Sequence, residues 1–175
     1  MTNYFEGWYF KIVDKTENHI YAVIPGVSYG EHGEAQAFIQ FFDGKIGKME
    51  FFPFDIEEFE FKTEEFEIKI GKNIFTSSYF SLDLNGKEFS VIGKIEFTEF
   101  SKWPVSIFQP GVMGWYRYVP KMECYHGIVS MDHRLIGNLA VNNTKISFDN
   151  GKGYIEKDYG RSFPLNKNPA RNPSK

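Results

Sequence analysis

The chain has 175 residues, 42 % of them hydrophobic and 18 % aromatic, with 19 Phe. This composition excludes a disordered chain and suits a single core, since domains commonly run to about 100–150 residues. A formal charge of −3 and a pI near 5.8, with Lys and Glu interspersed, exclude the basic footprint of a nucleic-acid binder, so no nucleic acid is expected as partner. Cys124 is the sole cysteine, which rules out an internal disulfide and any CxxC-type zinc site, and no cofactor motif is present. The N-terminus lacks a signal-peptide pattern, and no apolar run reaches the ~18 residues of a membrane span. The expected location is cytoplasmic.

In chain order, period-two alternation of aromatic and β-branched residues predicts strands at Trp8–Val13, His19–Ile24, Ala35–Phe42, Phe59–Lys62, Phe66–Ile70 and Tyr79–Leu84. It continues at Phe89–Thr98, Tyr125–Met131, Leu135–Val141, Lys145–Phe148 and Gly153–Tyr159. Pro25-Gly26, Asp43-Gly44, Asn85-Gly86, Asn142-Asn143 and Asn150-Gly151 read as turns between them. About ten short strands with no helical period predict an all-β fold, an antiparallel barrel or sandwich. Ser101–Met122, with Trp103-Pro104, Trp115 and Tyr116, breaks the rhythm as an ordered loop, either a lid over one barrel mouth or simply packed beneath its own chain. The tail Leu165–Lys175 has no apolar pattern and is expected to be disordered, leaving one domain over 1–164.

Four stretches, EGWYFK (Glu6–Lys11), GWYRYVPKMECYHG (Gly114–Gly127), IVSMDH (Ile128–His133) and GYIEKDYGRSFP (Gly153–Pro164), together resemble the tocopherol cyclase family and, more distantly, the carotenoid hydratases. The resemblance implies a lipocalin-like (calycin-type) barrel, and it covers the front half of such proteins. After Pro164 the family continues into a second barrel, whereas this sequence runs into LNKNPARNPSK. A half-length form is expected from this, or a homodimer, or a partner chain that supplies the second half. The implied chemistry is acid-catalysed cyclisation of a prenylated hydroquinone to a chromanol. An acid protonates a trisubstituted alkene and a phenolic oxygen captures the tertiary cation. The alternatives are hydration of a polyprenoid and a non-catalytic module that binds an apolar isoprenoid or lipid. Reaching such a substrate could involve peripheral membrane contact.

That chemistry needs a carboxylic acid kept protonated by an apolar pocket, and aromatic faces to stabilise a cation. On the last strand, period two places Tyr154, Glu156 and Asp158 on one face. If that face points inward, two carboxyls and a phenol line the cavity; otherwise it is a solvated face with Lys157 and Arg161 as ion partners. Tyr154 and Glu156 match the aromatic–x–acid pattern that the resemblance associates with catalysis. His126 is the nearest match to a histidine of the hydratases, or else a barrel histidine bonded to backbone. Glu6, on the strand face of Trp8, is a reserve proton donor or a partner of Arg117 or Arg161. Trp8, Trp115 and Tyr116 are candidate substrate-contacting aromatics or core. Glu123 and His126, three apart on a strand, point to opposite faces, so no metal site is expected.

Overall fold

The structure is a computed structural model that describes residues 4–30, 33–62, 65–101 and 124–160. For residues 100, 101 and 124–131 it describes the backbone alone. Its twelve strands are β1 (Tyr4–Val13), β2 (Ile20–Tyr29), β3 (Ala35–Asp43), β4 (Lys48–Asp55), β5 (Phe59–Lys62), β6 (Glu67–Ile70), β7 (Asn73–Thr76), β8 (Tyr79–Asn85), β9 (Ser90–Ser101), β10 (Cys124–Val141), β11 (Thr144–Ser147) and β12 (Lys152–Gly160). A 3₁₀ turn at Ile56–Glu58 joins β4 to β5. Every pairing is antiparallel, in the order β4-β3-β2-β1-β12-β10-β9-β8-β7-β6-β5, with β11 paired to β10. The fold is therefore all-β and antiparallel, as expected, with the sheet rolled into a nearly closed barrel.

Alternation decides which side chains turn inward. On β1, Trp8, Phe10 and Ile12 are buried at 2 %, 1 % and 0 % exposure, and on β12 the inward residue is Ile155 at 1 %. Phe10 lies 5.4 Å from Phe75 and 6.0 Å, stacked, from Phe97. Tyr21, Phe41 and Phe148 pack together nearby. These side chains fill the barrel with one continuous cluster, and removal of their apolar surface from water is what holds the sheet rolled.

Three local features depart from the sequence reading. Pro25-Gly26 is not a turn but lies in the middle of β2. The strand accommodates Pro25 because its pairing to β3 continues through Pro25↔Ile39, while the β1–β2 ladder lapses at Ile24 and Pro25, where the missing N–H falls. Gly26 is required there, since a Cβ would collide with the ring of Phe38. Lys48–Asp55 and Asn73–Thr76, unassigned from the sequence, are strands β4 and β7. The runs 125–131 and 135–141 belong to one 18-residue strand, β10, whose pairing with β12 shifts register between Ile128 and His133.

No backbone ladder joins β4 to the far end of the sheet among the described residues. The Glu50 carboxylate ties β4 instead to the β8–β9 turn. It accepts the backbone N–H groups of Lys87 at 2.7 Å, Glu88 at 3.1 Å and Phe89 at 2.7 Å, clasping the β8–β9 turn to β4. Where the clasp ends, a cleft of about 800 Å³ opens between Phe51–Phe54 and Asp83–Lys87.

Candidate functional site on the outer face of the barrel

With Ile155 in the core, Tyr154, Glu156 and Asp158 occupy the opposite, outward face of β12. Of the two alternatives for this face the outward one is found: the inward positions are taken by apolar side chains, and strand geometry sends their neighbours out. The outward cluster is nonetheless half-buried. The Tyr154 hydroxyl donates to Glu156 Oε2 at 2.5 Å. Burial, then this hydrogen bond and the charges of Glu156 and Asp158, raise the Tyr154 phenol above its ordinary range. Tyr9, the register partner of Glu156, meets Tyr154 edge-on at 6.4 Å. Its phenol is also raised, by burial and then by Glu156.

This cluster borders an apolar groove. Tyr9, Lys11, Ile20, Ala22, Ile24 and Phe42, contributed by β1, β2 and β3, line a cleft of about 440 Å³. On β2 the intervening Tyr21 and Val23 are buried in the core, which places Ala22 and Ile24 on the outside. Lys11 and Tyr154 are register partners, so the groove wall and the phenol–carboxylate pair are contiguous. The apolar face continues to Phe38, stacked at 5.4 Å on Phe51.

The remaining sequence candidates separate from this cluster. Glu6 and Trp8 share the inward face, as expected, but Glu6 is ion-paired with Lys157 at 2.5 Å and accepts the Tyr4 hydroxyl at 2.7 Å. It is a salt-bridged carboxylate, and its cationic partner among the described residues is Lys157; Arg117 and Arg161 lie outside the described residues. The Lys157 ammonium sits 5.1 Å from the Trp8 ring and 5.6 Å from that of Tyr159. Trp8 itself packs on Phe61 and Phe66. His126 is the register partner of Asp158, which sets it on the same strand pair as the outward cluster; its side chain is outside what the structure describes. Trp115 and Tyr116 also fall outside the described residues. No group of three or more potential metal ligands occurs among the described residues.

Sequence reasoning missed His133. It is 2 % exposed, inward on β10, 4.7 Å from Phe97 and packed over Gly153, where no Cβ would fit. Burial pushes its imidazole down to about 4, with Asp132 opposing the shift. The hint was its place two residues before Leu135 in an alternating run, which sets both on the core face.

A second cleft, of about 570 Å³, lies at one end of the outward face of β1, β12, β10 and β9. Its walls carry Lys15, Glu17, Thr98, Glu99, Arg134 and Lys152.

No family model matches the chain, and no curated protein matches it. Among solved structures, a protein of Nitrosomonas europaea assigned as an AttH is similar at 14 % identity with a TM-score of 0.48, over 96 % of this chain and 54 % of that one. The chain thus spans about half the length of that structure. No helix among the described residues is long and apolar enough to cross a membrane.

Proposed function

We propose that this protein is a binding module for an apolar ligand of isoprenoid or lipid type, held on the outer face of the barrel in the groove between Tyr9 and Phe42. The observation that carries this reading is the pairing of a side-chain-filled interior with an outward apolar groove bordered by one polar cluster. Binding sites are typically apolar concavities with a few oriented polar groups. Here Tyr154 and Glu156 are those groups, able to exchange hydrogen bonds with a ligand hydroxyl. The test is a fluorescence titration with a prenylated hydroquinone. Ile24→Lys, which puts a charge on the groove floor, is expected to weaken binding by about tenfold or more. Ile92→Lys, at a 55 % exposed site on β9, is expected to leave it unchanged. Equal affinities for the two variants would refute the groove.

A second reading keeps the tocopherol-cyclase-like reaction, with Glu156 as proton donor to the alkene and Tyr154 positioning the phenol that closes the ring. The half-buried Tyr154–Glu156 pair beside the groove supports it. Because Glu156 accepts the Tyr154 hydrogen here, this reading requires that Glu156 first take up a proton, give it to the alkene, and recover the proton that the substrate phenol releases on ring closure. Glu156→Gln is then expected to abolish chromanol formation while retaining binding; unchanged turnover would eliminate this reading.

A further inference from the structure

On the outward face, alternation makes Lys11 and Val13 neighbours on β1, and Tyr154 and Lys152 neighbours on β12, with Lys11 paired to Tyr154 and Val13 paired to Lys152. Lys11 lines the apolar groove and Val13 lines the charged cleft. The two concavities are therefore adjacent, one strand repeat of about 7 Å apart.

The cleft holds an unfavourable pairing. Arg134 on β10 and Lys152 on β12 are direct register partners, and like charges directly opposite one another in a sheet repel. Lys15, past the end of β1, adds a third cation to the lining. Neither Lys15 nor Lys152 has an ion-pair partner among the described residues. The acids nearby do not neutralise this pair well. Asp14 is engaged by the Thr16 hydroxyl and by the backbone N–H and ring of His19. Glu99 reaches Arg134 only at 3.7 Å, from a side chain 76 % exposed, where such pairs contribute little. Glu17 sits on the turn after β1. Arg134 also donates to the Asn150 carbonyl at 3.4 Å, which leaves part of its guanidinium fork for another acceptor.

We propose that the Lys15–Arg134–Lys152 cleft receives the anionic head group, phosphate or carboxylate, of an amphiphile whose apolar tail lies in the Tyr9–Phe42 groove. An anion between Arg134 and Lys152 would convert their repulsion into two charge-assisted hydrogen bonds. The inference rests on the groove reading, names the chemical class of its ligand, and makes tail and head separable in the experiment.

The test compares a prenyl monophosphate, the prenyl alcohol of the same chain length and inorganic phosphate on the intact chain, using the wild type and the double variant Arg134→Gln/Lys152→Gln. The phosphate ester is expected to bind about tenfold or more tighter than the alcohol, with the advantage lost in the double variant and alcohol binding unchanged. Lys69→Gln, on the separate strand β6, is expected to keep the advantage. Equal binding of ester and alcohol to the wild type would overturn the head-group site and leave the groove standing. Binding of neither would overturn both. Inorganic phosphate binding as tightly as the ester would detach the cleft from the groove and overturn the amphiphile. A variant that fails to fold is recognised by circular dichroism, and Lys15→Gln then replaces it with the same expected outcomes.

Discussion

Glu156 holds the Tyr154 proton through one hydrogen bond and through its charge, and that effect on the phenol is open to titration. Removing the carboxylate charge in Glu156→Gln takes away the Coulombic contribution of Glu156 to both the Tyr154 and the Tyr9 shift. In an alkaline absorbance titration, the variant is expected to deprotonate part of its tyrosine at lower pH than the wild type. Superimposable curves would mean that the two side chains do not interact in solution. His133 makes the second prediction at this scale. Burial holds its imidazole near 4 in the folded barrel, against an ordinary 6.5, so between these limits the unfolded chain binds more protons. Its contribution is fully present above about pH 6.5 and is lost as pH falls towards 4, amounting to roughly 3 kcal/mol at most. The Asp14 carboxyl acts in a lower window. Burial works against its ionised form, but the bonds from Thr16 and His19 hold it below its ordinary value of 3.8, so its loss begins only at more acid pH. In urea unfolding, His133→Gln is therefore expected to flatten the decline between pH 6.5 and 4.5; an undiminished slope would show that the histidine is not the cause. At this scale the sequence disclosed that Tyr154, Glu156 and Asp158 share a face of one strand. It could not disclose that the face is outward, because alternation fixes two sides without saying which is the core.

At the scale of elements, strands with strict alternation, such as β8 and β9, were legible, whereas β4 was not. Its MEFFPFD stretch carries apolar residues at consecutive positions and a proline, which argue against a strand unless it lies at a sheet edge. β4 occupies such an edge, and its Phe52 faces the core while Phe51 lies on the outside against Phe38. Pro25 misled in the same way, since a proline inside a strand is legible only once it is known where the ladder lapses. The Glu50 clasp links residues 37 to 39 positions apart in the chain, and no local pattern announces it. Glu50→Ala leaves three backbone N–H groups of the β8–β9 turn without that acceptor, a loss expected to cost about 1–3 kcal/mol. Chemical denaturation would check the cost, and amide exchange at Lys87–Phe89 would locate it. Unchanged exchange there would show that the turn is held by something else.

For the molecule as a whole, class and chain direction of the sheet followed from turn spacing and alternation, but the filling of the barrel did not. An alternating all-β sequence pattern is compatible with an open cavity or with a packed one. The difference lies in the size of the inward residues, and Trp8, Phe10, Phe41, Phe75, Phe80 and Phe148 are all large and fully buried here. Phe10→Ala, which would empty the centre of this cluster, is expected to destabilise the fold by about 3–5 kcal/mol, measured by thermal or urea unfolding; a cost below about 1 kcal/mol would mean that the interior is looser than described. The packed interior is also why the ligand is assigned to the outside. A photoactivatable prenyl probe, crosslinked and mapped by peptide mass spectrometry, tests that assignment most directly. Labelling at Tyr9, Ile24 and Phe42 is the expected result, and labelling at Phe10, Phe75 and Phe80 would contradict it.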